Sequence, residues 1–260
     1  MEIPYVLSGA AVGFLVGLTG VGGGSLMAPI LIILFGYTPA LAVGTDLWFA
    51  AITKLVGGTL HGRIGTPSWQ VVRRLALGSV PAAVLTLLWL GLFHGGRLEA
   101  GMLMRILGAA LVATACITPM KERLSGPLKQ LRVRIGPRFR SHQLVVTVVG
   151  GALVGCLVTL TSVGAGALVA VFLMLVYPLR MDGKTLVGTD IIHAIPLALV
   201  AAIGHSWLGN VDWSLLGNLI AGSIPGVTLG TLATGRIKDT AIRLCLAIML
   251  AISGIKLLWG

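Results

Sequence analysis

Two glycine-broken stretches of this chain could do chemistry. Gly20-Val21-Gly22-Gly23-Gly24-Ser25 and Ser162-Val163-Gly164-Ala165-Gly166 each precede an apolar run. A helix that starts after such a break presents N–H groups without intrahelical partners and a positive dipole end. Glycine lets an anion approach that backbone closely. Thr19, Ser25, Thr161 and Ser162 add hydroxyl donors. The chemistry this pattern suits is recognition of a small anion through Gly22, Gly23, Gly24, Ser25, Ser162, Gly164, Ala165 and Gly166. The competing reading of such glycines is close helix packing. It is preferred for the regular series Gly9/Gly13/Gly17 and Gly222/Gly226/Gly230.

Ionisable residues inside apolar runs are the second signal, because a charge in lipid persists only for a reason. Asp46 and Asp190 each close a Val-Gly-Thr-Asp tetrapeptide at the start of an apolar helix. They could couple protons, pair with a cation, or cap a neighbouring broken helix. A carboxylate repels an anion, so each is expected to orient donors or to be protonated when it meets substrate. Thr45 and Thr189 stand beside them and are candidate pocket residues. Lys54 lies eight residues after Asp46, a little over two helical turns, so both can face one side. Snorkelling to an interface is the alternative for Lys54. His193 follows Asp190 by three residues; it could bind an anion, shuttle protons or simply hydrogen-bond the backbone. His61 and His205 are expected at helix ends near water. No HExxH, cysteine cluster or convincing Ser/His/Asp spacing occurs, so neither catalysis, a metal nor a cofactor is expected.

These groups must be positioned by elements that live in lipid. The 260 residues are 56% hydrophobic and 10% charged, with a mean hydropathy of +0.99. A soluble domain carries about 25% charged residues. A spanning helix needs roughly 20 apolar residues, and runs such as 185–203 and 211–234 approach that length with few charges. Period-two alternation, the mark of barrel strands, is missing from them. The expected fold is therefore all-α and integral to the bilayer, which is the first partner implied. The net charge of +11 does not point to nucleic acid, because the basic residues fall between apolar spans and read as topology signals. Cys116, Cys156 and Cys245 lie in apolar runs without CxxC spacing and read as packing residues. The N-terminus opens Met1-Glu2-Ile3-Pro4 with no Lys or Arg and does not resemble a cleaved signal peptide.

An internal repeat organises the chain. Shifted by 144 residues, 43–82 aligns with 187–226 without gaps and with 14 identities in 40 positions. Val43-Gly44-Thr45-Asp46 returns as Val187-Gly188-Thr189-Asp190, and Gly78-Ser79-Val80-Pro81 as Gly222-Ser223-Ile224-Pro225. The expected units are an N-terminal repeat at 1–119, a basic linker at 120–142 and a C-terminal repeat at 143–260. Each repeat opens with two short apolar pieces, 4–19 with 22–35 and 143–160 with 164–177, read as broken-helix hairpins. Three helices follow, near 40–61, 70–93 and 99–119, then 185–206, 213–234 and 239–258. The linker carries Lys121, Arg123, Lys129, Arg132, Arg134, Arg138 and Arg140 against Glu122, so it is expected in the cytoplasm. Counting the hairpins as non-crossing also places Arg63, Arg73, Arg74, Arg180, Lys184, Arg236, Lys238 and Arg243 there. Both termini then lie outside, and the repeats are inverted relative to each other, a plan with binding at the midplane.

The run Gly13-Phe-Leu-Val-Gly17-Leu-Thr-Gly-Val-Gly-Gly-Gly-Ser25, then Pro29, then Val43-Gly-Thr-Asp46, resembles the sulfite exporter TauE/SafE family, also called the toluene sulfonate uptake permease family. The resemblance covers nearly the whole chain. It implies a bacterial or archaeal plasma-membrane carrier for sulfur-containing anions such as sulfite or organosulfonates, a secondary transporter and an exporter. Ala165 and Ala167 stand where the first motif has Gly23 and Ser25, so the half-sites are expected to be unequal. An anion channel is the alternative, and an intramembrane enzyme a more distant one. Small-residue faces make a homodimer plausible.

Overall fold

The computed structural model describes residues 2–19, 23–60, 67–135, 138–164, 166–181, 183–233 and 239–259, with some side chains between 121 and 141 left aside. Among the described residues the regular structure is helical throughout, with no strand. The first repeat contains α1 (Ile3–Thr19), a 3-10 turn at Gly23–Leu26, α2 (Met27–Ile33), α3 (Pro39–Leu60), α4 (Trp69–Phe93) and α5 (Ala100–Ile135). The second contains α6 (Arg138–Thr161), α7 (Ala167–Val176), α8 (Gly183–Trp207), α9 (Trp213–Ala233) and α10 (Asp239–Trp259).

Three elements depart from the expected lengths. Helix α2 has only 7 residues, because the first part of the expected piece is a 3-10 turn and the chain leaves the helix after Ile33. Helix α6 continues back to Arg138 and reaches 24 residues, about 36 Å. Its segment His142–Thr161 is long and apolar enough to cross a bilayer, unlike the short piece expected. Helix α5 runs on through the basic segment for 36 residues, about 54 Å, far more than a hydrocarbon core. Most of the segment expected as a linker is thus a helical extension of α5, rich in the good helix formers Leu, Lys, Arg and Gln.

Seven helices among the described residues are long and apolar enough to span a membrane. Their outward faces carry large apolar side chains, such as Leu85, Leu92, Leu229 and Ile252, which only lipid would solvate. Exposed Trp69, Trp207, Trp213 and Trp259 sit at helix ends, as in aromatic interface belts. Burial differs sharply among the spans. Pro39–Thr59 is 72% buried and Thr185–Trp207 61%, against 33–44% for the other five. Helices α3 and α8 are therefore the central pair, and among the described residues they carry the buried Asp, Lys and His side chains.

The two halves interleave. Helix α1 packs chiefly on α9, α6 on α4, α5 on α10 and α3 on α8. Exchanging each element for its repeat equivalent maps this set of contacts onto itself. Glycines make the closest contacts possible. A Cβ at Gly9 or Gly13 would overlap the carbonyl of Leu219 or Ser223, and one at Gly151 or Gly155 would overlap that of Leu75 or Ser79. Added at Gly222, Gly226 and Gly230, it would overlap the carbonyls of Val6, Ala10 and Phe14. Backbone meets backbone because lipid offers no hydrophobic drive between helices, and close dispersion contact has to replace it. The regular glycine series are thus packing residues.

Candidate functional site

The Val-Gly-Thr-Asp tetrapeptides lie near the N-terminal ends of α3 and α8. Their threonines do matching work. Thr45 Oγ1 accepts the N–H of Asp212 at 3.1 Å, and Thr189 Oγ1 accepts the N–H of Ser68 at 3.0 Å. Ser68 and Asp212 immediately precede α4 and α9, so each threonine fixes the entry of a helix from the other repeat. Asp212 then turns Oδ1 to the Leu215 N–H at 2.9 Å, a side-chain cap of α9. The structure places Thr45 and Thr189, expected in the pocket, at these backbone contacts.

Asp46 is fully buried and lies between the start of α2 and the second glycine break. Its Oδ2 accepts the N–H of Ala28, the second residue of α2, at 3.3 Å. Its carboxylate also faces Ser162 in the second break. Ser162 is held at φ 57, the left-handed region a side chain seldom occupies. It ends α6 where glycine is usual, with Gly164 at φ 112 two residues on. Backbone strain of this kind persists where surrounding structure enforces it, and it gathers at functional sites. Asp46 Oδ1 and Ser162 Oγ are buried without a hydrogen-bond partner.

Lys54, only 8% exposed, is the centre of charge. Its ammonium is within electrostatic reach of Asp190 on α8 and of Asp46 two turns back on α3. It acts on His193 as well. The snorkelling alternative for Lys54 is therefore not what the structure has. His193 is buried, pairs Nε2 with Ser79 Oγ of α4 at 2.8 Å, and leaves Nδ1 without a partner. Opposite it, the repeat-equivalent Ser223 pairs with Thr53 at 2.7 Å. The structure thus brings Asp46, Lys54, Ser162, Asp190 and His193 into one buried cluster, with the start of α2 alongside.

The remaining expected residues frame it. Gly23, Gly24 and Ser25 form the 3-10 turn that leads into α2, with Ser25 half-buried. Gly166 is the residue before α7, and its N–H goes to the Gly164 carbonyl at 2.8 Å. Gly22 and Ala165 lie outside the described residues. Thr161 spends its hydroxyl locally, donating to Leu157 O at 2.6 Å and accepting the Val163 N–H at 3.1 Å. Thr19 likewise donates to Leu15 O at 2.8 Å.

One histidine differs from the sequence reading. His205, expected near water, is buried. Its Nε2 reaches the Thr159 carbonyl at 2.9 Å, and its Nδ1 meets Asn210 Nδ2 at 3.3 Å. Thr159 lies in the last turn of α6, whose carbonyls have no onward helix to bond. His205 supplies that donor, which draws it inside. Asn210 also donates to Gly96 O at 2.7 Å and accepts Arg97 Nε at 2.9 Å. Ser79, Ser223, Asn210 and Arg97 were not singled out as site residues by sequence reasoning; the repeated Gly-Ser-Val/Ile-Pro motif was the available signal for the two serines. His61 lies outside the described residues.

The buried Lys54 ammonium thus has within reach Asp46, which joins the start of α2 to the second break, inside a mainly apolar helical body. The sequence comparison decides the family: residues 5–257 match the sulfite exporter TauE/SafE family. This chain belongs to that family. It is similar to YjnA of Bacillus subtilis, named "Probable membrane transporter protein", at 37% identity over 99% of this chain and 100% of the relative. YdhB of the same organism, with the same description, is 27% identical over 95% of this chain and 96% of its own. A Methanocaldococcus jannaschii relative of that description is 22% identical over 97% and 94%. No solved structure gives a significant match. The chain is a multi-pass membrane transporter of the TauE/SafE family.

Proposed function

We propose that this transporter carries small sulfur-containing oxyanions, sulfite or organosulfonates, across the plasma membrane by secondary transport, in the exporting direction. The observation that carries the reading is Lys54: among the described residues it is the buried Lys or Arg, and within its electrostatic reach is Asp46, which faces Ser162 of the second break and accepts the Ala28 N–H after the first. An oxyanion there would take charge from the ammonium and hydrogen bonds from Ser162, His193 and the backbone at the starts of α2 and α7. The family's printed description, sulfite exporter, supports the substrate class.

Alternating access would come from one repeat moving against the other, with the helix entries held by Thr45 and Thr189 as pivots. The self-mapping contacts of α1 with α9 and α6 with α4 support two repeats related by a pseudo-two-fold axis. With the basic extension of α5 in the cytoplasm, both termini lie outside and the repeats are inverted.

The test is efflux from proteoliposomes loaded with sulfite or with methanesulfonate. Saturable efflux of either, lost in Lys54→Met but retained by Asp212→Asn, is the expected result. Efflux that rises linearly with concentration in the wild type would indicate a channel, and none at all would overturn the reading.

A further inference from the structure

We propose that Asp46 carries one proton with each anion, making the transporter an electroneutral proton–anion symporter for monoanionic substrates. The inference rests on the reading that the anion binds beside Lys54. It begins from the charge of the cluster. Four ionisable side chains meet there; with the His193 imidazole counted as neutral, one ammonium and two carboxylates sum to −1. Lys54 has both carboxylates within electrostatic reach, Asp190 on α8 and Asp46 on its own helix. One carboxylate balances the ammonium and one is left over; Asp46, bonded to the Ala28 N–H and facing Ser162, is the one set between the elements of the two repeats. A bound monoanion would bring the site to −2 in a region with almost no exposure to water, where repulsion between like charges is weakly screened. One proton on Asp46 restores the site to the charge it had when empty. The step is a simple transfer: the Asp46 carboxylate takes a proton from the aqueous side, the anion enters, and both leave on the other side. No net charge moves.

The surroundings of Asp46 support a carrier role. Its own helix supplies Lys54, and α8 supplies Asp190 and His193 behind that ammonium. The break after α6 supplies the Ser162 hydroxyl. Helices α2 and α7 have no ionisable side chain and α1 no charged one. Arg105 of α5 is exposed, and Asp212 before α9 turns its Oδ1 to Leu215. Oδ1 of Asp46 has no hydrogen-bond partner, which leaves an oxygen able to hold a proton while Oδ2 keeps the Ala28 N–H. Ser162 Oγ and His193 Nδ1 are also buried without partners, and both are polar atoms an oxyanion could engage. Because Asp46 holds the start of α2 in the first repeat and faces Ser162 in the second, its proton is placed where the two repeats meet. Net export would then run while the outward anion gradient exceeds the inward proton gradient, and the membrane potential would not enter.

The experiment uses the purified full chain in liposomes, with methanesulfonate as the probe because it stays a monoanion across the working range. Potential is clamped at zero with potassium and an ionophore. An interior more alkaline by about one pH unit should concentrate methanesulfonate about tenfold, since a unit of pH is a factor of ten in proton activity. A potential imposed without a pH difference should produce no accumulation. Asp46→Asn retains an oxygen for the Ala28 N–H; it should lose pH-driven accumulation yet still exchange labelled for unlabelled methanesulfonate. Accumulation that follows potential in the wild type, or pH-driven accumulation that survives Asp46→Asn, would overturn the proposal while leaving the carrier reading intact. An Asp46→Asn chain that exchanges nothing leaves the wild-type comparison of pH and potential as the deciding result. Failure to move methanesulfonate or sulfite at all would overturn the carrier reading and this inference with it.

Discussion

Thr45 takes the backbone N–H of Asp212 across the interface between α3 and the start of α9, at 3.1 Å. The same bond recurs between Thr189 and Ser68, 144 residues out of step on both partners. Identical residues at equivalent positions doing one job in both repeats argue that the job is anchoring. Thr45→Val and Thr189→Val should each leave a part-buried N–H unsatisfied and cost about 1–3 kcal/mol. Thr→Ser at either position should cost much less. Melting temperature in detergent checks this, and the KM for sulfite efflux tells anchoring from binding: an anchor lowers stability with KM little changed.

Helix α9 offers a matched pair of glycines. Gly222 lies against the Val6 carbonyl, so Gly222→Ala forces α1 and α9 apart and should destabilise by about 1–3 kcal/mol. Gly217 on the same helix has nothing within 4 Å of an added Cβ. Gly217→Ala should be neutral or stabilise by up to about 1 kcal/mol through helix propensity. Equal effects from both would show that the close approach of α1 and α9 is not what holds the pair.

The repeat made much of the fold legible. An Asp, a Trp and a Gly-Ser-x-Pro returning at one offset located α3, α4, α8 and α9 to within a residue or two. The residues of the site were legible individually, because a charge in an apolar run has few innocent explanations. Their grouping was not. Lys54 meets Asp190 through the packing of α3 on α8, a contact between positions 136 apart that no local pattern encodes. His205 was misread because sequence position marks it as a helix end, whereas its burial follows from the carbonyls that α6 leaves at its own break. The extension of α5 was hidden by charge: composition reads Met120 to Gln143 as polar linker, while its residue types favour helix.

Asn210 is the residue on which the loops after α4 and α8 depend. It is fully buried and joins Gly96, Arg97 and His205 through its side chain. Asn210→Ala would leave the Gly96 carbonyl and one nitrogen of His205 without these bonds, at a cost of about 1–3 kcal/mol for each group stranded in the interior. Arg97 is exposed at the edge of the same network, so Arg97→Ala should cost under about 1 kcal/mol. Thermal denaturation of the two variants should therefore rank Asn210→Ala well below Arg97→Ala. The reverse order would place the stabilising contact in the guanidinium and not in the buried amide.

Ser162 allows backbone and hydroxyl to be separated at a single position. Its φ of 57 costs a side-chain-bearing residue roughly 1–2 kcal/mol, and glycine escapes that cost. If only chain reversal mattered after α6, glycine would serve better. Serine instead brings a buried hydroxyl up to Asp46. Ser162→Gly should raise the melting temperature slightly and raise the KM for sulfite efflux several-fold. Ser162→Ala keeps the strained backbone and removes the same hydroxyl, so it should match the KM change without the gain in stability. If both variants kept the wild-type KM, the hydroxyl would have no part in the site, and the strain would have to be explained by the packing of the second break alone.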